Sequence, residues 1–207
     1  HFMETCKVSA YSVWTMNPIS RQSIYNDTQQ RILDATINCV KLWGLEKTSL
    51  NDIAKQAGVT RPTVYSYYPS RDAVIRAALL QSGYAFGERV IDHIRRFASA
   101  RERLLEAVLF AIEQLPLEPY LTLVTRSDIP SQFYEDALID SEGLHICLAI
   151  FDAVFEDSDH SDQDKLDIME LSIRLTLSLL VLRGPTTRST KELRGFLERR
   201  LLPAAGL

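Results

Sequence analysis

Apolar residues recur along most of the chain at steps of three and four, the spacing that places them on one face of an α-helix. No convincing stretch alternates between apolar and polar residues as a half-buried strand would. The pattern therefore predicts an all-α protein of about nine helices, at about 27–43, 50–57, 61–68, 71–97, 101–115, 118–126, 131–155, 163–183 and 189–202.

Local end signals support the first four of these helices. Gly44 and Gly58 stand where a C-cap glycine belongs, and Ser49 followed by Asp52 is a variant of the capping box. Thr60 and Ser70 can cap the next two helices, and Pro69 ends the third because the residue before a proline disfavours helical angles.

Residues 50–68 have the layout of a helix-turn-helix. Ala54 falls where the two helices cross, and Gly58 supplies the positive φ angle of a tight turn. The side that can pack against the first helix carries Ile53, Ala57, Val59, Val64 and Tyr68. The outer side of the third helix carries Arg61, Pro62, Thr63, Tyr65, Ser66 and Tyr67. Hydroxyls suit phosphate oxygens and an arginine suits a guanine edge, although an ordinary helical corner remains the alternative.

The longer stretch 31–79 resembles the N-terminal domain of TetR-family transcriptional regulators. The similar features are an Ile-Leu-x-Ala first helix, Gly44, Thr48-Ser49, Ala57-Gly58-Val59, Thr63-Val64-Tyr65 and the corner at 67–70. Tyr68 stands where the family more often has Phe, and Arg71 where it more often has Lys. The resemblance implies phosphate contacts from Ser49, Tyr65, Tyr67 and Arg71, and base contacts from Arg61, Pro62, Thr63 and Ser66.

Residues 1–22 are expected to form a flexible N-terminal tail, with His1-Phe2-Met3 as a tag remnant. The resemblance divides the rest of the chain into a DNA-binding domain at 23–70 and a ligand-binding and dimerisation domain at 71–207. In the family the middle helices enclose a small-molecule pocket. Aromatic residues and a histidine predict its lining as Tyr84, Phe110, Tyr120, Phe133, His145 and Phe151, with core packing as the alternative for most of them. Gly83 and Gly87 indicate close packing or ligand approach.

The helix at 163–183 carries two apolar stripes, with polar residues including Ser172 and Thr176 on the flanks between them. One stripe is Leu166, Met169, Ile173, Leu177 and Leu180, and the other is Ile168, Leu171, Leu175, Leu179 and Leu182. Two opposed stripes predict two apolar neighbours, the chain's own core and a second copy, unless the helix is buried centrally in one domain. Since the family pairs its last two helices across a two-fold axis, the predicted homodimer interface is Ile168, Leu171, Leu175, Leu179, Leu182, Leu193, Phe196 and Leu197.

Composition narrows the function classes. Three separated cysteines without a CxxC pair fit a reducing cytosol, and no apolar run reaches the roughly 20 residues of a membrane span. No metal-ligand spacing, P-loop, GxSxG or GxGxxG occurs, so we expect no cofactor, no metal and no enzymatic activity. The net charge is −4, but residues 20–75 carry +2 and residues 76–207 carry −6.

These observations predict a cytoplasmic, homodimeric regulator that binds a palindromic DNA operator. A small hydrophobic inducer would release it, as expected of a repressor, because the inducer prefers a conformation in which the DNA-reading helices are misplaced. A helical protein-interaction adaptor, or an all-α enzyme without DNA binding, is the alternative. Activation instead of repression also stays open.

Overall fold

A computed structural model describes residues 26–118, 141–181 and 188–207. These ranges hold eight α-helices, one 3-10 turn at Leu115–Leu117 and no strand, which confirms the all-α prediction. The helices are α1 Asp27–Trp43, α2 Leu50–Ala57, α3 Arg61–Tyr67, α4 Arg71–Ile94, α5 Ala100–Gln114, α6 Ser141–Val154, α7 Asp162–Val181 and α8 Thr190–Ala204. The predicted helix at 118–126 and the start of the one at 131–155 fall outside the described residues. Within the described ranges, no helix has both the length and the apolar character needed to cross a membrane.

Helix ends in the first third of the chain form as their sequence signals predict. Ser49 accepts a hydrogen bond from the Asp52 amide while the Asp52 side chain accepts from the Ser49 amide. Gly58 adopts the left-handed conformation, with φ of 65°. Thr60 caps α3 through the amide of Thr63. Each such cap contributes about 1 kcal/mol, so local chemistry sets the bounds of α2 and α3.

The head, defined here as residues 26–70 with α1–α3, has a small core of its own. Its buried members are Ile32, Leu33, Ala35, Cys39, Leu50, Ile53, Ala54, Ala57, Val64 and Tyr68, joined by Val74 and Ala78 from α4. The predicted inward side of the helix-turn-helix is therefore confirmed, with Val59 partly buried against the same core.

A second core holds the C-terminal part, defined here as α5–α8 with the second half of α4. Phe86, Val90 and Ile94 of α4 belong to it, together with Phe155 and Leu201 among others. Helix α4 therefore contributes its first turns to the head core and its last turns to the C-terminal core.

Close packing of α4 on α6 explains two glycines of α4. A Cβ atom added at Gly87 would lie 2.8 Å from Cγ2 of Ile146, and one at Gly83 would lie 3.1 Å from its Cδ1. Of the two interpretations of these glycines, the structure therefore supports helix packing.

Buried and half-buried charges fix the ends of the C-terminal helices. Arg103 is buried and donates from Nε to the carbonyl oxygen of Val154, at the end of α6, over 2.9 Å. Arg194 of α8 donates to Glu106 of α5 over 2.6 Å, and the other oxygen of Glu106 lies 3.3 Å from Nε2 of His93 in α4. The carboxylate of Glu106 therefore joins three helices.

Candidate nucleic-acid interface

Helix α3 has one buried side and one open side. Val64 is fully buried in the head core, and Tyr68, at the C-cap of α3, is buried beside it. The opposite side exposes four of the predicted contact residues and half-exposes Thr63 and Tyr67; the exposed ones are Arg61, Pro62, Tyr65 and Ser66. The structure therefore brings together all six residues predicted for the outer side of this helix.

Arg61 and Tyr65 interact along the exposed side of α3. The Arg61 Nη2 donates to the Tyr65 Oη over 3.1 Å, and the guanidinium carbon lies 5.4 Å from the centre of the ring. This arrangement combines a hydrogen bond with a cation–π contact. Because the hydroxyl accepts from Arg61, its own hydrogen can still be donated to an incoming oxygen atom.

The smaller hydroxyls of α3 are bonded within the helix. Ser66 Oγ donates to the Thr63 carbonyl over 2.7 Å, and the Thr63 and Thr60 hydroxyl oxygens lie 2.8 Å apart. Hydroxyl oxygens that donate in this way keep their capacity to accept, so both side chains can still meet a donor group on a base edge.

Ser49 and Tyr67 lie at the margins of this surface. The half-buried Ser49 donates to Asp52 Oδ2 over 2.5 Å, within the capping box of α2. The Tyr67 Oη accepts from Nδ2 of Asn26 over 3.4 Å, which brings the start of α1 beside the end of α3. Asn26 was not predicted as part of the site, although its capping box with Gln29 is readable in the sequence.

Two arginines, one in the head and one at the start of α4, bind backbone carbonyl groups of the head. Arg31 Nη2 donates to the carbonyl of Ala57 over 2.6 Å, at the end of α2, and was not predicted to have a role. Arg71 Nε donates to the carbonyl of Thr48 over 2.6 Å, and its Nη2 donates to that of Leu45. Arg31 is itself exposed, and the other exposed cations of the described head are Lys41, Lys47, Lys55 and Arg61.

The predicted ligand residues are not gathered in one cavity of the described chain. Tyr84 and His145 line a cavity of about 20 Å³ between α4 and α6, which is room for one water molecule. Phe110 contacts the rings of Phe86 and His93, and Phe151 is buried in the C-terminal core. A groove of about 570 Å³ at the ends of α7 and α8 holds none of the six. Tyr120 and Phe133 lie outside the described residues.

The predicted dimer residues differ in exposure. Ile168 and Leu197 are buried in the C-terminal core, while Leu171 is 39% exposed. Four more are half-buried and pack against that core, namely Leu175, Leu179, Leu193 and Phe196. Leu182 lies outside the described residues.

The buried side of α7 is centred on polar residues that the sequence analysis placed between the two stripes. Ser172 and Thr176 are both buried, and the Thr176 hydroxyl donates to the Ser172 carbonyl over 2.7 Å, which satisfies it inside the core. The two apolar stripes therefore border one buried side. Leu166 of one stripe and Leu171 of the other remain exposed, as does Val181 at the end of α7.

Comparison with known proteins agrees with this arrangement. A family model for bacterial regulatory proteins of the tetR family matches residues 32–78. This stretch of the chain is therefore similar to the corresponding part of TetR-family regulators. The matched stretch runs from Ile32 in α1 to Ala78 in α4, and so contains the whole helix-turn-helix and the whole head core.

Two curated TetR-type relatives extend the similarity beyond the head. An HTH-type transcriptional regulator of Mycobacterium bovis is 29% identical over 116 residues, which are 56% of this chain and 59% of the relative. The chain thus spans about three fifths of the length of that relative. The fatty acid metabolism regulator protein of Bacillus subtilis is 25% identical over 135 residues, 65% of this chain and 70% of the relative.

Solved structures of TetR-type regulators share the fold. The TetR family repressor AlkX from a Dietzia strain has a TM-score of 0.58 at 18% identity, covering 86% of this chain and 95% of its own. The regulator FadR from Bacillus subtilis, solved with stearoyl-CoA, has a TM-score of 0.54 at 20% identity, covering 85% and 96%. The names of these relatives and neighbours are those of transcriptional regulators.

Proposed function

We propose that this protein is a sequence-specific DNA-binding repressor. It acts in the cytoplasm as a homodimer, binds a palindromic operator with one α3 helix in each of two major grooves, and leaves the operator when a small hydrophobic ligand binds. The observation that carries the proposal is the two-sided α3, in which Val64 is fully buried while Arg61, Tyr65 and Ser66 face outward.

Two kinds of DNA contact follow from the groups on this surface. Arg61, Pro62, Thr63 and Ser66 read base edges, with the planar guanidinium of Arg61 suited to a guanine. Tyr65 and Tyr67 bind phosphate oxygens, whereas the hydroxyl and the amide of Ser49 already donate to Asp52, so a phosphate contact from Ser49 needs that capping box to open. Tyr65 keeps a hydroxyl hydrogen for that purpose, because its oxygen accepts from Arg61. The role of Arg71 is treated separately below, because its guanidinium is already bonded within the head.

Dimerisation uses the partly exposed margin of the C-terminal core along α7 and α8. Exposed Leu171 and half-buried Leu175, Leu179, Leu193 and Phe196 form the interface. Ile168 and Leu197 support it from the core below, and Leu182 continues the α7 stripe in sequence. Two α3 helices held about 34–36 Å apart contact more base pairs than one helix does, so dimerisation increases the sequence specificity of DNA binding.

The ligand binds in the C-terminal part, between α4 and the helices packed on it. Tyr84 and His145 already face a common cavity there, and Phe110, Phe151, Tyr120 and Phe133 are the further candidates for its lining. Apolar and aromatic lining favours a hydrophobic molecule. Because the similar FadR was solved with stearoyl-CoA, long-chain acyl-CoA is the first ligand class to test, with free coenzyme A as the control.

The test of the DNA-binding function is selection of duplexes from a random pool, followed by gel shift of the selected duplex over a series of salt concentrations. We expect a palindromic sequence and an affinity that falls linearly with the logarithm of salt concentration. Absence of any selected duplex would leave the adaptor or the enzyme as the better explanation.

Two variants separate base contacts from phosphate contacts. Arg61→Ala should relax the preference at one base pair by about 1–3 kcal/mol. Tyr65→Phe should weaken binding to all duplexes with little change in sequence preference, because a phosphate contact reads no base. A change at a single base position in Tyr65→Phe would contradict its assignment to phosphate.

The dimer has a matched pair of tests. Leu171→Glu places a charge on the proposed interface at an exposed position, and we expect a folded monomer in analytical ultracentrifugation. Leu42→Glu is the control, because Leu42 is 68% exposed at the end of α1 in the head and should leave the dimer intact. A Leu171→Glu variant that sediments as a dimer would rule out this surface.

A further inference from the structure

Arg71 begins α4 but does not extend into solvent. A cation in the first turn of a helix interacts unfavourably with the helix dipole. We therefore expect Arg71 to make another interaction that offsets this cost. The side chain turns back onto the loop at 44–49, which connects α1 to α2. There Nε donates to the Thr48 carbonyl over 2.6 Å and Nη2 donates to the Leu45 carbonyl.

The donors of this guanidinium are largely occupied. Its Nη1 lies 3.1 Å from Oδ1 of Asp72, so all three nitrogen atoms have a partner, and one of these partners is a carboxylate. The side chain is 34% exposed. To bind a phosphate, an arginine needs free N–H groups and a positive charge that no nearby carboxylate balances. Arg71 has few free N–H groups, and Asp72 balances part of its charge.

The carbonyl groups that Arg71 binds belong to an ordered loop. The Thr48 hydroxyl donates to the Gly44 carbonyl over 2.8 Å, and the next residue, Ser49, caps α2. Arg71 therefore links the first turn of α4 to the segment that leads directly into the helix-turn-helix. A second polar link between α4 and the head is the hydrogen bond from Gln81 to Gln30, at 2.6 Å.

Only a guanidinium makes this contact. Its planar edge presents Nε and Nη2 side by side, so two carbonyl groups are held in a fixed relation to α4. A lysine ammonium is a single point at the end of a flexible chain and holds no such pair.

We propose that Arg71 is a positioning residue for DNA reading and not a phosphate ligand. It fixes the angle between α4 and the head, and through it the separation of the two α3 helices in the dimer. Helix α4 continues into the C-terminal core. A shift of α4 caused by that core therefore changes the position of the head through the same contact. The inference rests on the proposed function, since the separation matters only in a dimer that reads two half-sites.

The test compares three variants of the full chain on the duplex selected by the wild-type protein. Arg71→Lys keeps the charge and removes the planar edge, and Arg71→Gln removes both. Lys47→Gln is the matched control, because it removes one exposed charge from the same loop. Dissociation constants are measured over a salt series, and on duplexes with one base pair inserted or deleted between the half-sites.

If Arg71 positions the head, both Arg71 variants reduce the preference for the native spacing by about threefold or more. The sequence preference within each half-site and the salt slope stay as in the wild type. General destabilisation would not change the spacing preference alone. Should Arg71→Gln fail to fold, Arg71→Lys and Lys47→Gln carry the same comparison.

Two results would overturn the inference by itself. One is a wild-type spacing preference in Arg71→Lys. The other is normal binding by Arg71→Lys together with a salt slope reduced by about 1.8 in Arg71→Gln, which is the signature of one lost phosphate contact in each of the two subunits. A wild-type protein that shows no spacing preference would instead overturn the dimeric reading of DNA, and this inference with it.

Discussion

The head and the C-terminal part are both helical, but their helices are held in place by contacts of different range. In the head, Ser49 with Asp52 and Thr60 with Thr63 fix helix ends across three residues of sequence. In the C-terminal part, Arg103 reaches Val154 and Arg194 reaches Glu106, across 51 and 88 residues. Both regions cap helix ends locally, since α5 and α8 also begin with capping boxes. The contacts of Arg103 and Arg194 nevertheless join residues farther apart in sequence than the 26 residues between Arg31 and Ala57, or the 41 between Asn26 and Tyr67, in the head. Helix α4 is the element that both share.

The largest expected effect tests whether the two regions unfold together. Phe155→Ala in the C-terminal core and Ile53→Ala in the head core should each lower the free energy of unfolding by about 2–5 kcal/mol, because both side chains are almost fully buried. Since α4 supplies residues to both cores, we expect each variant to destabilise both regions. Amide hydrogen exchange, read by mass spectrometry of peptides, gives the local stability of each. A head that keeps full protection in Phe155→Ala would show two independent units.

The packing of α4 against α6 gives the next effect. Gly87→Ala should cost about 1–3 kcal/mol, because its Cβ would come within 2.8 Å of Cγ2 of Ile146. Gly83→Ala should cost less, because its Cβ would meet only the end of the same side chain, at 3.1 Å, and alanine favours the helix. Chemical denaturation measures both.

Truncation of Ile146 provides the internal control for the two glycines. Ile146→Val removes Cδ1 and should relieve Gly83→Ala only, whereas Ile146→Ala removes Cγ2 as well and should relieve Gly87→Ala. This packing would be contradicted if both glycine variants lost the same free energy of unfolding and if truncation of Ile146 changed neither loss.

The same difference in range explains what the sequence could predict. Bounds, caps and the two-sided α3 follow from residues three or four apart, so Gly58, Thr60 and Val64 were placed correctly. Asn26 was missed because its contact with Tyr67 joins distant positions. In α7 the apolar pattern did not show that Ser172 and Thr176 form the buried centre. The Thr176 hydroxyl is satisfied by its own helix, whereas the buried Ser172 hydroxyl has no hydrogen-bond partner among the described residues, so polarity alone did not indicate which side is buried.

Substitution of Gly58 in the helix-turn-helix should lower the free energy of unfolding by less than the changes above, and it should affect only the head. Gly58→Ala forces a side chain into the left-handed conformation, at a cost of about 1–2 kcal/mol. It also places Cβ 3.1 Å from Nη2 of Arg31, which donates to the carbonyl of Ala57. Thermal unfolding measures the loss. Gly58→Asn is the control and should lose less, because asparagine tolerates this conformation better.

The smallest expected effect is a pH dependence at a helix end of the C-terminal part. The amide and hydroxyl of Ser189 donate to the exposed Glu192 carboxylate and lower its pKa. A lowered pKa in the folded state means that the carboxylate stabilises the fold at neutral pH, and that this contribution disappears as the pH falls through the folded pKa. Glu192→Gln should therefore flatten the acid side of the stability profile, without a change in the number of unfolding transitions.

Asp152 of α6 provides a control of opposite sign, because partial desolvation by the surrounding helices raises its pKa although the residue is exposed at the surface. Its ionised form disfavours the fold, so Asp152→Asn should stabilise the protein at neutral pH and have progressively less effect in acid, as the wild-type carboxyl becomes protonated. Carbon-13 NMR titration of the two carboxyl groups measures both shifts directly. In Ser189→Ala the Glu192 pKa should move back toward its ordinary value, since one of the two donors is lost. A Glu192 pKa unchanged by that substitution would mean that the capping box does not hold its carboxylate in solution, and that the helix ends of the two regions differ more than their shared sequence signals imply.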